Sequence, residues 1–246
     1  MFNKDTWFRD SRQKLGTVLS IDHPSTVEIA RDAGWDWLWL DAEHGRFNER
    51  SAADACAITQ GYLPTFVRVP DALPTTLKRY LDAGADGIIV PQVSSVAEAR
   101  DIAKAAQYPP EGERSVGIAR AHGYGVRFAE ALQRRNYGIL LQIETAAGVE
   151  EADRIAAEPY VDAIVIGPYD LSASFGVPGD IGSAKVQAAT ARVLAACTAA
   201  GKSCGIFAAD AGAARAYLQQ GFSMVATGID ARLLARAHAA LRAELR

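Results

Sequence analysis

Short apolar runs alternate with alanine-rich amphipathic segments along almost the whole chain. The apolar runs have the length and the branched side chains of buried strands. We predict strands at 14–20, 35–42, 64–69, 87–92, 137–143, 163–167, 203–208 and 222–228. Helical spacing predicts helices between them, among others at 25–33, 75–83, 96–106, 147–157, 186–199 and 211–219. This order predicts an α/β fold, a (β/α)8 TIM barrel in one domain over residues 1–246.

An extra C-terminal helix is predicted at 232–241, where Leu233, Leu234 and Leu241 share one stripe. This stripe fits packing on the chain's own barrel or on a neighbouring copy. The rival fold is an open doubly wound sheet, but no G-x-G-x-x-G sequence follows the first strand. Two connections, 94–136 and 170–184, are long enough to be lids or subunit contacts.

Composition favours small-molecule chemistry. The net charge is -3 and no block of Lys and Arg occurs, so we expect no nucleic-acid or anionic membrane partner. No apolar stretch reaches the length of a membrane span, and residues 1–9 lack the apolar core of a signal peptide, so a cytoplasmic location is expected. Three cysteines without a C-x-x-C pair are expected to be buried and reduced.

Two acids, Glu144 and Asp170, each close an apolar run, and a helical segment separates the runs. A strand, a helix and a parallel strand would place both acids at one rim of the sheet. Hard cations such as Mg²⁺ or Mn²⁺ take oxygen ligands, and two carboxylates leave coordination positions for water or substrate. Either acid alone could instead cap a helix. Together they favour a metal site.

Further polar residues stand at other predicted strand ends, where active sites of such barrels gather. His44 follows the second strand, Arg68 lies in the third and Gln142 in the fifth. His44 fits either a proton-transfer group or a residue that bonds a backbone carbonyl. Arg68 lies among apolar residues, so it needs either a structural carboxylate or a bound anion.

These groups together predict a reaction class. A cation that chelates a 2-oxo acid acidifies its C3 protons, an arginine stabilises the enolate oxygen, and a histidine moves the proton. This is metal-assisted making or breaking of a carbon–carbon bond. A Schiff-base route would need a lysine at a strand end. The lysines of the chain lie in the N-terminal segment, in predicted helices or at strand starts.

Seven motifs resemble the HpcH/HpaI aldolase family of class II pyruvate aldolases. In order they are Asp41-x-Glu-His-Gly, Phe66-Val-Arg-Val-Pro, Leu81-Asp-Ala-Gly, Ile89-Val-Pro-Gln-Val, Tyr108-Pro-Pro-x-Gly, Gln142-Ile-Glu-Thr and Ile166-Gly-Pro-Tyr-Asp-Leu-Ser-Ala. The chain looks most similar to 4-hydroxy-2-oxoheptanedioate aldolase and 2-dehydro-3-deoxyglucarate aldolase. Such enzymes are metal-dependent barrels that cleave 4-hydroxy-2-oxo acids to pyruvate and an aldehyde.

The resemblance also implies roles for individual residues. Glu144 and Asp170 would bind the divalent metal (Mg²⁺, Mn²⁺ or Co²⁺), and Arg68 would stabilise the enolate. His44 would act as base with Asp82 as its partner. The residues implied to contact the substrate are Gln142, which lines the site, and Gly167 and Tyr169, whose backbone amides meet the substrate carboxylate. The family further implies a hexamer, built as a trimer of dimers with exchanged C-terminal helices.

The first strand departs from the family pattern. It reads Gly16-Thr-Val-Leu-Ser20 where better-known members carry a tryptophan. Small side chains near Val18 predict a roomier pocket, which makes hydroxypyruvate conceivable as a donor beside pyruvate. The alternatives are a CoA-ester lyase of the citryl-CoA-like branch and a catalytically silent barrel used for assembly. Oxaloacetate decarboxylation would use the same enolate chemistry.

Overall fold

Eight parallel strands form a closed barrel in the computed structural model, which describes residues 2–245. The strands pair in chain order, and the last pairs with the first. They are β1 (Lys14–Leu19), β2 (Trp37–Asp41), β3 (Thr65–Arg68), β4 (Gly87–Val90), β5 (Gly138–Ile143), β6 (Ala163–Ile166), β7 (Ser203–Ala208) and β8 (Met224–Ile229). The predicted (β/α)8 barrel is confirmed.

Helices follow the strands as the sequence pattern predicts. They are α1 (Lys4–Arg9), α2 (Pro24–Asp32), α3 (Glu49–Thr59), α4 (Pro74–Asp82), α5 (Val96–Ala106), α6 (Phe128–Gln133), α7 (Ala146–Glu150), α8 (Ala152–Ala156), α9 (Pro168–Ser174), α10 (Ala184–Ala199), α11 (Ala211–Gln220) and α12 (Asp230–Glu244). The helix expected at 147–157 is divided into α7 and α8 at Glu151. Helix α1 had not been predicted.

The inside of the barrel is packed with large apolar side chains. Trp37, Trp39, Phe66 and Leu140 are buried there together with small residues of β6 and β8. Gly16 makes this packing possible, because a Cβ on it would lie 2.4 Å from the Trp37 ring. The small residue that the first strand carries is therefore matched by an indole on the second strand.

Helix α1 covers the amino-terminal mouth of the barrel. The aromatic rings of Trp7 and Phe8 lie 5.0 and 5.8 Å from that of Phe66 inside the barrel. The Ser203 hydroxyl at the start of β7 donates to the Phe8 carbonyl. The fully buried Lys14 donates through Nζ to two backbone carbonyls at 2.9 Å. This end is closed, so the opposite rim carries the accessible strand ends.

The long segment between α5 and β5 lies at this same closed end, because it follows a helix and precedes a strand. It contains a short 3-10 turn (Arg120–His122) and α6. It is therefore not a lid over the strand ends of its own chain.

The cysteines Cys56, Cys197 and Cys204 are buried and unbridged, as predicted, and burial raises the pKa of Cys56 to about 12.

Helix α12 leaves the barrel at the open end. Its Asp230 carboxylate accepts hydrogen bonds from the Ser20 and Ile21 amides at 2.8 and 3.0 Å, which fixes its start to the end of β1. Leu234 and Leu241 are more than half exposed, so the chain's own barrel does not cover the predicted stripe.

Among residues 2–245, no helix combines the length and apolar content needed to cross a bilayer.

Four side chains fix the strand register at the closed end. Each stands directly before an even-numbered strand and accepts the backbone N–H of a residue in the preceding odd-numbered strand. The pairs are Asp36 with Leu15, Asp86 with Thr65, Asp162 with Ile139 and Ser223 with Cys204, at 2.8 to 3.0 Å. Burial raises the pKa of Asp86 to about 6, against an ordinary value of 3.8.

This shift gives a stability prediction for Asp86→Asn. The folded chain binds a proton on the Asp86 carboxyl more tightly than the unfolded chain does. As the pH rises from 4 through about 6 this proton is lost, and the free energy of unfolding falls. The asparagine does not titrate and can still accept from Thr65. Urea unfolding should show the variant gaining up to about 3 kcal/mol relative to the parent chain between pH 4 and pH 8.

Asp162→Asn is the matched control. Asp162 is paired with Arg135 by hydrogen bonds of 2.7 and 3.0 Å, so the variant should lose about 1–3 kcal/mol at neutral pH. An Asp86→Asn difference that does not change with pH would contradict the assignment of a buried, protonatable carboxyl at Asp86.

Candidate active site

Strand register at the open end places Asp41 of β2 directly beside Arg68 of β3. Asp41 Oδ1 accepts from Arg68 Nε at 3.0 Å, and Asp41 Oδ2 accepts from Nη2 at 2.8 Å. Glu43 Oε2 lies 3.0 Å from Arg68 Nη1. Of the two roles that the sequence left open for Arg68, the structure shows the carboxylate partner and adds a second carboxylate.

The Arg68 guanidinium keeps its charge in a nearly dry position. Its side chain is 12% exposed, and its Cζ lies 5.2 Å from the centre of the Trp39 ring. Burial opposes the charge, but the hydrogen bonds and negative charge of Asp41, with Glu43, raise the pKa of Arg68. Asp41 engages two of the five N–H groups. The N–H groups that neither Asp41 nor the nearby Glu43 takes up can meet an anionic oxygen at the rim.

A tight turn after β2 presents Glu43 and His44. Asp41 Oδ1 accepts from the backbone amides of Glu43 and His44 at 3.1 and 3.2 Å. Gly45 is required, because a Cβ there would lie 2.1 Å from the Asp41 carbonyl oxygen. The His44 side chain is 68% exposed, and its Nε2 lies 3.5 Å from Glu43 Oε2. His44 thus stands at the solvent side of the site.

Glu144 follows β5 and is buried at the rim. Its Oε1 accepts from the Gln92 backbone amide at 2.9 Å, and its Oε2 accepts from the Gln142 side-chain amide. Gln92 has a left-handed backbone with φ of 60°, an uncommon conformation for a residue with a side chain. This strained turn aims its amide at the carboxylate.

Gly167 follows β6 and leaves space for these two side chains. A Cβ on Gly167 would lie 2.3 Å from Glu144 Oε2 and 2.7 Å from Gln142 Nε2. The Gly167 backbone amide donates to the Ile143 carbonyl at 3.3 Å. Of the two implied substrate-binding amides, that of Gly167 is thus already bonded. Tyr169 lies in the first turn of α9, where a helix leaves N–H groups without an internal partner.

The electrostatics of the rim favour a cation. Burial raises the pKa of Glu144 to about 7, and the nearby charge of Asp170 adds to the shift. Burial also raises the pKa of Glu43, although Arg68 opposes this. Asp41, Glu43, Glu144 and Asp170 together outnumber the one arginine. Such an excess of negative charge in a desolvated site is relieved by a bound cation.

The donors present fit a hard divalent cation. Glu144 follows β5 and Asp170 lies in the exposed first turn of α9, and the Asp170 charge is near enough to raise the pKa of Glu144. Gln142 Oε1 is buried and has no hydrogen-bond partner within residues 2–245. Oxygen donors of this kind suit Mg²⁺ or Mn²⁺, with further positions left for water and a chelating substrate.

Asp82 does not join the other site residues in this chain. It ends α4 at the closed end of the barrel, where its carboxylate accepts from Arg114. Within the described part of the chain, no hydrogen bond or ion pair connects it to His44. The other three histidines are structural or solvated: His23 caps α2, His122 bonds Tyr108 and His238 is exposed on α12.

Sequence reasoning missed the two carboxylates that hold Arg68 and the backbone of Gln92. Asp41 and Glu43 had been noted only as parts of a motif. The pairing of Asp41 with Arg68 follows from the β2–β3 register, and that of Glu43 from the turn after β2. The alternation of inward-facing residues along β2 and β3 was the available signal, since it places Asp41 and Arg68 on the same face.

Three comparisons with known proteins agree. The sequence model of the HpcH/HpaI aldolase/citrate lyase family matches residues 14–237. A hydroxypyruvate/pyruvate aldolase of Paraburkholderia phytofirmans is 39% identical over 91% of this chain and 89% of its own length. A 4-hydroxy-2-oxovalerate aldolase of Rhodococcus jostii is 36% identical over 95% and 92%. The crystal structure of a family protein from Burkholderia cenocepacia matches at 37% identity and a TM-score of 0.93, covering 99% of this chain and 98% of that one.

Gly167→Ala tests the space beside Glu144. Because the new Cβ would overlap Glu144 Oε2, the carboxylate must move and weaken its bonds to Gln142 and the Gln92 amide. We expect the free energy of unfolding in urea to fall by about 1–3 kcal/mol. Gly182→Ala is the control, since a Cβ there comes no closer than 3.7 Å to another atom, and its stability should change by less than about 0.5 kcal/mol. Equal stability of both variants would contradict the contact.

Proposed function

The chain belongs to the HpcH/HpaI aldolase/citrate lyase family, and from this premise we propose that it is a divalent-metal-dependent aldolase. It would form or cleave 4-hydroxy-2-oxo acids through the enolate of pyruvate or hydroxypyruvate, with an aldehyde as the second substrate. The observation that carries the proposal is the single rim on which Arg68 stands beside an excess of buried carboxylates.

Glu144 and Asp170 would hold the cation. A divalent cation there would supply Lewis acidity, which polarises the carboxylate and keto oxygens of a 2-oxo acid and makes its C3 protons acidic. The Gln142 side-chain amide holds Glu144 in place, and the absence of a side chain at Gly167 leaves room for the Glu144 carboxylate. The Tyr169 amide is the one we retain for the substrate carboxylate, since the Gly167 amide already bonds Ile143.

Arg68 would stabilise the enolate oxygen. Its guanidinium is held by Asp41 before any substrate arrives, so little reorganisation is needed when negative charge develops. A preorganised donor in a water-poor site contributes on the order of 3–4 kcal/mol to the transition state. The same groups would stabilise the neutral carbonyl of the bound substrate less than the negatively charged transition state. Their contribution therefore lowers the activation free energy.

His44 would transfer the proton. Its exposed ring can exchange protons with water and can reach a substrate that enters from the open rim. Asp82 can partner it only from a second copy of the chain, because in one chain the two residues lie at opposite ends of the barrel. The uncovered leucine stripe of α12 supports the proposal of an oligomer with exchanged C-terminal helices, the family-like hexamer.

Hydroxypyruvate is proposed as a donor beside pyruvate. The relative from Paraburkholderia phytofirmans is named for both donors. In this chain Gly16 and Val18 place only small groups on β1, so no first-strand indole occupies the rim. A C3 hydroxyl needs space near the nucleophilic carbon. The Trp37 ring fills the space over Gly16, so the small side chain of Val18 is the feature of β1 that would leave room for the hydroxyl. The expected location of the enzyme is the cytoplasm.

The first test is exchange of the pyruvate C3 protons in D₂O, followed by NMR. Chelator-stripped protein should exchange no faster than buffer, and added Mn²⁺ or Mg²⁺ should restore exchange, because enolate formation needs the cation but no aldehyde. The same experiment with hydroxypyruvate tests the second donor. Full exchange or full retro-aldol activity in the presence of EDTA would refute metal dependence.

Single replacements at the rim should separate two roles. His44→Ala should slow exchange by roughly 10²–10⁴-fold without changing Mn²⁺ affinity, because the histidine only moves the proton. Arg68→Ala should lower kcat/KM of the aldol reaction by about 10²–10³-fold, because a transition-state donor is lost. Mn²⁺ binding is measured by calorimetry. Loss of Mn²⁺ binding in His44→Ala would contradict the assigned role.

A further inference from the structure

Glu43 contacts both groups that act on the substrate. Its Oε2 lies 3.0 Å from Arg68 Nη1 and 3.5 Å from His44 Nε2. We propose that Glu43 is a positioning residue, anchored by Arg68, that holds the imidazole of His44 for proton transfer. This inference rests on the proposed aldolase function and adds a residue to which the family resemblance assigned no role.

The fold does not need this carboxylate. Arg68 is already paired with Asp41 through two hydrogen bonds. Glu43 therefore adds a second negative charge to one buried cation, with a side chain only 10% exposed and an Oε2 that has no hydrogen-bond partner within residues 2–245. An incompletely compensated buried charge lowers stability. A residue that lowers the stability of the fold in this way is typical of a functional site.

The turn after β2 directs the two side chains differently. Asp41 fixes the Glu43 and His44 backbone amides, so the glutamate points back to Arg68 while the histidine faces solvent. Across the described chain, Glu43 is the acidic side chain within ion-pair distance of His44. Without it, the largely exposed ring would sample several rotamers and spend less time over the substrate.

The contacts therefore form a series from Asp41 through Arg68 and Glu43 to His44. The arginine is held from one side by Asp41 and holds Glu43 on the other. Such a series lets one strand pair set the positions of both the enolate-stabilising cation and the proton carrier. If Glu43 acts only through His44, its removal has no effect once His44 is gone.

A double-mutant cycle on pyruvate C3 exchange tests this. With saturating Mn²⁺, Glu43→Gln should lower kcat for exchange by about 10- to 100-fold, while pyruvate KM and Mn²⁺ affinity change less than about threefold. In a His44→Ala background, Glu43→Gln should change the residual rate, followed over many hours, by less than about twofold. Glu43→Asp, which keeps the charge on a shorter side chain, should give an intermediate loss and guards against a folding defect in the glutamine variant.

Glu49→Gln is the matched control, since it removes a glutamate from a surface pair with Arg79 and should exchange like the parent chain. Equal rates of Glu43→Gln and the parent would overturn the inference, as would a further drop of tenfold or more in the His44→Ala background. If the parent chain itself shows no metal-dependent exchange, the proposed function fails. If the parent chain shows metal-dependent exchange but the losses caused by Glu43→Gln and His44→Ala are additive, the proposed role of Glu43 is refuted and the proposed function stands.

Discussion

Strand register at the closed end of the barrel is the constraint on which the rest of the structure depends. A side chain before each even-numbered strand accepts the backbone amide of an odd-numbered strand, from Asp36 at β2 to Ser223 at β8. In a parallel barrel, a shift of one residue would turn every inward side chain outward. These four bonds, with the aromatic packing of α1, therefore decide which residues meet at the open rim.

The two ends of the barrel have opposite chemistry. The closed end is filled by aromatic rings and by Lys14, whose charge is satisfied by backbone carbonyls. The open end concentrates carboxylates around Arg68 and leaves the buried Oε1 of Gln142 without a hydrogen-bond partner in the described part of the chain. The closed end contributes stability, and the open end holds an excess of negative charge that a bound cation would balance. This division is typical of barrel enzymes.

The position of Arg68 shows how packing of the barrel prepares the proposed catalytic site. Strand register sets the position of Arg68 beside Asp41, and the packing inside the barrel sets its contact with the Trp39 ring. Its contact with Glu43 depends on the tight turn that Gly45 permits. The guanidinium is thus placed before substrate binds. Glu43, one of the two carboxylates that keep it charged, also lies within 3.5 Å of His44 Nε2.

The barrel and most of the rim could be predicted from the amino-acid sequence, because strand and helix periodicity is local and strand ends in such a fold share one edge. Glu144, Arg68 and Gln142 could be predicted to gather for this reason. The tertiary structure was needed to show that Asp41 and Glu43 hold Arg68. The Asp41 contact depends on the register of two strands whose paired residues are 27 positions apart, and the Glu43 contact depends on the turn after β2. The place of Asp82 at the far end follows from its position at the end of a helix that precedes a strand. The structure also shows that the chain's own barrel leaves the leucine stripe of α12 uncovered, because helical spacing marks an apolar face but does not identify the surface that covers it.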